Sequence, residues 1–165
     1  MTDLPLHYEA SATIARSAES IFAMADEPNL MTKHMGGPSL MMGGGSMRCE
    51  LDALGGKATG SVIRLAGTAF GLTIAAEEVV EARVPPTRKV WATIGMPQLV
   101  VIQAYRMGFA ITPFGAGNLL LVWIDYALPE PGLARWLARA FGGMFARWCV
   151  NNMVREIQHR QAGRP

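Results

Sequence analysis

From Met47 to Leu128 the sequence repeats one pattern, a short run of alternating apolar and polar residues followed by a glycine or proline break, and this pattern limits the folds open to the chain. Met47, Cys49, Leu51 and Ala53 alternate with Arg48, Glu50 and Asp52, and Gly55-Gly56 then turns the chain, as in a hairpin with one wet face. Further runs at 59–68, 72–84, 88–94, 100–112 and 118–128 are separated by Gly71, Pro85-Pro86, Pro97, and Pro113 with Gly115 and Gly117. Each separator is a turn signal. Strands joined by such short links pair antiparallel with their sequence neighbours, so this region predicts a six-stranded meander.

The flanks complete the architecture. Tyr8, Ala10, Ala12 and Ile14 alternate over 7–15 and give a seventh strand. Ser17 is an N-cap for a short helix that ends before Pro28, and Asn29 caps a second short turn through His34. Gly36, Gly37, Pro38 and Gly43 to Gly45 then break regular structure. Pro129 and Pro131 stop the sheet, and 132–161 reads as one long helix. At about 100° per residue, Leu133, Trp136, Leu137, Ala140, Met144 and Trp148 form one stripe with Phe141 and Phe145 on its flank, predicting that this face is buried. Gly142-Gly143 inside the helix calls for a bend or a close backbone approach.

Composition adds an apolar surplus. In 165 residues, enough for one core, 50% are hydrophobic and 17% charged, and the mean hydropathy is +0.20. Such a surplus lines a cavity, forms an interface or meets lipid. Eleven methionines suit an adaptable pocket or plain core filling. A net charge of +2 lacks the basic stripe that nucleic acid requires. Cys49 and Cys149 are expected as free thiols, and His7, His34 and His159 lack ligand spacing, so no metal or cofactor is expected. The start of the chain lacks a secretory pattern, and the apolar stretch 99–128 is cut by Arg106, Pro113 and Asp125. The expectation is a cytoplasmic protein with no transmembrane segment.

The order strand, two short helices, six strands, long C-terminal helix resembles the helix-grip fold of the START-like, or SRPBCC, superfamily over nearly the whole chain. Local residues agree: Thr13-Ile14-Ala15 leading to Ser20-Ile21-Phe22, Val79-Val80-Glu81 before Pro85-Pro86, Tyr105 to Phe109, and Asp125 to Pro129. They look most like the bacterial polyketide cyclase/dehydrase and lipid-transport branch. The resemblance implies an α+β domain over 1–165, a curved seven-stranded antiparallel sheet around the helix, and a hydrophobic small molecule held between them. No catalytic motif is shared across the superfamily, so the resemblance carries over no catalytic residue.

Alternation assigns the pocket. Arg106 and Asp125 mark the outer faces of the last two strands. Tyr105, Met107, Phe109, Val122, Ile124 and Tyr126 then point inward, facing Leu137, Phe141 and Met144 of the helix. Gln103, Tyr105, Tyr126, Asn151 and Arg155 are candidates to orient a ligand. Of the adjacent pair Glu77 and Glu78, one must face inward. The primary expectation is a carrier or sensor of a lipid, isoprenoid or aromatic polyketide-like molecule. The alternatives are a cyclase/dehydrase or hydrolase-type enzyme using Glu77 or Glu78, Tyr105 or Arg155, and a ligand-free interaction module. Leu119, Leu121 and Trp123 sit on an outer face where polar residues are due, which predicts a homodimer.

Overall fold

The computed structural model describes residues 3–30, 40, 43–129 and 132–163, and for 133–135 the backbone alone. Seven strands form one antiparallel sheet: β1 (Leu6–Ile14), β2 (Met47–Leu51), β3 (Val62–Ala69), β4 (Leu72–Val84), β5 (Arg88–Gln98), β6 (Ala104–Phe114) and β7 (Gly117–Ala127). Their order is β1-β7-β6-β5-β4-β3-β2, a meander with β1 added beside β7. Helix α1 (Ala18–Ala25) follows β1, and α2 (Leu133–Ala162) closes the chain. Asn29 and Leu30 begin a helical turn, and the rest of the second short helix expected through His34 lies outside the described residues. Among the described residues no helix is long and apolar enough to cross a membrane.

Local chemistry sets these boundaries. The Ser17 hydroxyl accepts the Ser20 amide and caps α1. Between β2 and β3 the turn is wider than the two-glycine hairpin the sequence suggests. Asp52 accepts the Leu54 and Val62 amides and the Ser61 hydroxyl, and Ser61 in turn accepts the Gly56 amide. These bonds hold a compact loop and delay β3 to Val62.

Alternation then fixes the two faces. Ile74, Ala76, Glu78 and Val80 of β4 and Leu120, Val122, Ile124 and Tyr126 of β7 are buried on the inner side. Against them α2 lays Ala138, Ala146, Cys149, Val150, Met153, Val154 and Ile157. Ile21 and Phe22 of α1 plug the far end, with Phe22 edge-on to Phe109 and Phe109 edge-on to Trp91. The outer face carries ion pairs, Arg64 with Glu77 and Arg106 with Glu81.

Candidate functional site

Between the inner face of the sheet and the middle of α2 lies a cavity with a water-accessible volume of about 80 Å³. Its walls are mostly apolar: Met47, Ile63, Leu65, Trp91, Met107 and Ile124 from the sheet, Phe145, Cys149 and Met153 from α2, and Leu99 and Ile102 from the β5–β6 link. A dry cavity of roughly 150 Å³ accepts benzene, so even a guest of that size requires side chains to move. Met47, Met107 and Met153 are flexible enough to do so. A smaller pocket of about 30 Å³ shares Met47, Leu99, Ile102 and Phe145 and reaches Phe70 in the β3–β4 turn.

One row of the sheet supplies the polar end. Ile63 pairs with Glu78, Glu78 with Thr93, and Tyr105 with Tyr126. The Thr93 hydroxyl accepts the Tyr105 amide at 3.1 Å and donates to the Tyr105 carbonyl at 3.2 Å, joining β5 to β6 just beyond Ala92↔Arg106, the last backbone pair of that ladder. Neighbouring strands lie about 4.8 Å apart. Glu78 and Tyr105, two strands apart, therefore meet over the small Thr93, and the Tyr105 hydroxyl donates to a Glu78 carboxylate oxygen.

Burial of the Glu78 carboxyl pushes its pKa up to about 7, while the Tyr105 hydrogen bond and the Lys89 charge pull it down. Burial and the Glu78 charge raise Tyr105 well above its ordinary value. Lys89 also reaches the cavity wall, but its ammonium donates to Asp26 Oδ1 at 2.7 Å and to the Gly56 carbonyl at 2.8 Å. Burial lowers its pKa and Asp26 partly restores it. Burial pushes Asp26 up, but hydrogen bonds from Arg83 and Lys89 outweigh this and hold it low. Lys89 is thus committed to its partner, whereas Glu78 carries no ion pair among the described residues.

The two thiols are free. Burial, with the Glu78 charge, pushes Cys149 to about 12 and Cys49 to about 11, so both stay protonated and poorly nucleophilic. Among the described residues no three His, Cys, Asp or Glu gather as a metal site.

Of the residues expected to line the pocket, Tyr105, Met107 and Ile124 do so. Phe109, Val122 and Tyr126 point inward as expected but are packed into solid core. Leu137, Phe141 and Met144 are 43%, 38% and 45% exposed and lie on the outward face of α2, which corrects the predicted helical stripe. Arg155 is exposed on that face too, and Glu77 is exposed beside Arg64, so neither serves the cavity. The helical wall formed by Phe145, Cys149 and Met153 was missed. Its signal was present: the stripe through Ala138, Phe145, Cys149 and Met153 stays apolar, whereas the chosen stripe runs into Asn151 and Arg155. Leu119, Leu121 and Trp123 are half-buried on the outer face, with the Trp123 indole against Gly108 and the Arg88 guanidinium 5.8 Å from its ring.

No protein-family model matches the chain, and no curated protein matches it. Solved structures do. TTHA0849 from Thermus thermophilus superposes with a TM-score of 0.67 at 14% identity, covering 95% of this chain and 97% of that one. Ara h 8.0201 gives 0.63 at 13% identity, covering 96% and 99%. Truncated norcoclaurine synthase from Thalictrum flavum gives 0.66 at 13% identity, covering 97% and 95%. End-to-end agreement at such low identity establishes architecture, and the chain has the helix-grip fold.

Proposed function

We propose that this protein binds a small hydrophobic molecule in the cavity between sheet and α2, with an uncharged or cationic polar end of the guest set against Glu78 and Tyr105. The observation that carries this reading is the Glu78–Tyr105 pair in a mostly apolar cavity: the other charged groups on its wall, Lys89 and Glu27, are engaged in ion pairs, whereas Glu78 has none among the described residues. A carboxylate guest bound head-in would face a second carboxyl in a low-dielectric site, which is unfavourable. A hydroxyl, a carbonyl or an amine instead completes the hydrogen bonding. Among lipid, isoprenoid and aromatic polyketide-like guests, this favours alcohols, phenols and ketones over free fatty acids. The fold is compatible with such guests, since norcoclaurine synthase from Thalictrum flavum has been solved with dopamine and hydroxybenzaldehyde. A cytoplasmic carrier or sensor, with both thiols reduced, is part of the proposal.

Mass spectrometry of freshly purified protein under non-denaturing conditions tests it. An apolar adduct is expected, and Leu99→Trp, which narrows the cavity from a half-buried link, should lose it. An unliganded mass together with failure to take up any apolar dye would reject the reading.

The same pair supports a second reading, an enzyme of the cyclase/dehydrase kind. A carboxyl with a pKa near 7 can take and return a proton beside a bound carbonyl compound. On that reading Glu78→Gln abolishes turnover while leaving uptake intact, whereas a carrier shows no turnover to lose.

Self-association through Leu119 and Leu121 is also proposed, with Trp123 partly engaged by Gly108 and Arg88. Sedimentation equilibrium at tens of micromolar, an ordinary range for dimers, should show a dimer that Leu121→Ser weakens. Monomer throughout would remove it.

A further inference from the structure

The outward face of the first half of α2 is apolar where a solvated helix is polar. Trp136 is 74% exposed, and Leu137, Phe141 and Met144 follow it along the same side. The face runs on to the β3–β4 turn: Phe141 lies one turn before Phe145, and Phe145 and Phe70 line the same small pocket, which adjoins the main cavity. Phe70 is half-exposed and holds a left-handed φ of 52°, next to Gly71 at 74°. A bulky side chain is strained there, in a turn that suits Asn-Gly. Strain kept at an exposed aromatic points to a use for it.

Charge identifies what covers this face. Between Glu130 and Glu156 the sequence has Arg135, Arg139, Arg147 and Arg155 and no acidic residue. The last three are exposed, Arg155 on the side of Leu137 and Met144, and Arg139 and Arg147 on the side of Trp136, with the Arg147 guanidinium 5.5 Å over the Tyr8 ring. A second copy docked here by two-fold symmetry would set these arginines against their own kind with no carboxylate to answer them. Aromatic and aliphatic side chains flanked by arginine instead suit the headgroup region of an anionic bilayer, where the rings enter the acyl boundary and the guanidinium groups meet phosphate.

We propose that Trp136, Leu137, Phe141 and Met144 of α2, with Phe70 of the β3–β4 turn, form a docking face for an anionic lipid surface. The face borders the pocket that adjoins the cavity, so docking places the cavity's apolar approach against the membrane and offers a guest a route that avoids water.

Co-sedimentation of the full chain with vesicles tests this, using phosphatidylcholine alone and phosphatidylcholine mixed with phosphatidylglycerol. Binding is expected to the anionic vesicles only and should weaken with added salt. Arg155→Gln should weaken it about fivefold, the usual effect of one basic residue at such a surface. Trp136→Ser combined with Phe141→Ser should abolish it. Phe70→Asn should weaken binding while keeping or raising the melting temperature, since Asn tolerates the left-handed turn, and this separates loss of docking from loss of fold. Equal binding to both vesicle types, full binding by the double variant, or a concentration-dependent dimer that the double variant breaks would each overturn the proposal. Vesicle binding without uptake of any apolar guest would leave the face standing and remove the cavity reading, and the reverse result would do the opposite.

Discussion

Glu78 occupies its site because β4 alternates. Ile74, Ala76 and Val80 share its face, so the strand's period carries a carboxyl inward among side chains that exclude water. An inward carboxylate without an ion-pair partner costs stability once ionised, and the sign follows from the raised pKa. Below about pH 4.5 Glu78 is protonated folded and unfolded alike. As pH rises to about 7 the unfolded chain ionises first, and the stability held by the protonated form is lost. The shift from 4.5 to about 7 corresponds to roughly 3 kcal/mol as an upper bound. Glu78→Gln should therefore stabilise the protein at pH 8 by up to about that amount and make little difference near pH 4.5. Urea denaturation across this range reads it directly, and equal slopes with pH for the two proteins would mean that Glu78 is not the buried titrating group. The Glu78 charge also raises Tyr105, Cys49 and Cys149, so the comparison is read up to pH 8, where these three stay protonated in both proteins. That one of Glu77 and Glu78 faces inward was legible from adjacency in a strand. Which one was legible too, since Ile74, Ala76 and Val80 share the parity of Glu78 whereas Thr73 and Glu81 share that of Glu77. The meeting with Tyr105, two strands away, depends on register, and no single-strand pattern contains it.

Helix α2 shows where pattern reading failed and why. Its first half is apolar on two sides, through Ala138, Phe145 and Ala146 toward the sheet and through Leu137, Phe141 and Met144 toward solvent. Large side chains weighted the projection toward the second face. The sheet, however, accepts small residues, because the helix must come close. A Cβ at Gly142 would lie 2.6 Å from Leu128 Cδ2 and 2.8 Å from the Val101 carbonyl oxygen, whereas one at Gly143 would meet only the Tyr126 hydroxyl at 3.5 Å. Close approach therefore explains Gly142. The two neighbouring glycines should respond oppositely to alanine. Gly143→Ala should gain up to about 1 kcal/mol of helix propensity. Gly142→Ala should lose about 1–2 kcal/mol net, since overpacking against backbone outweighs the same gain. Thermal denaturation giving both variants the same sign would refute the packing described for this helix.

Across the domain, the order of elements was readable because most strand boundaries carry a glycine or proline and the strands keep their period. The exception is the β5–β6 link, which has neither, while the expected turn residue Pro97 lies inside β5. Strand β4 agrees at both ends, and β5 runs past its predicted end to Gln98 through Gly95, whose φ is 67°. The cavity was less legible. Its walls come from strands β2 to β7, both helices and the β5–β6 link, and whether inward residues touch a void or one another is decided by summed side-chain volume. Thus Met107 meets the cavity and Phe109, two residues on, is solid core. The functional reading has two parts, that the cavity takes an apolar guest and that Glu78 selects its polar end. A matched titration of decanol and decanoic acid at pH 8, into wild type and Glu78→Gln, tests both at once. Wild type is expected to bind the alcohol at least tenfold more tightly than the acid, a difference of about 1.4 kcal/mol, and Glu78→Gln to narrow the gap. Uptake of neither compound, or an acid bound as tightly as the alcohol by wild type, would contradict it.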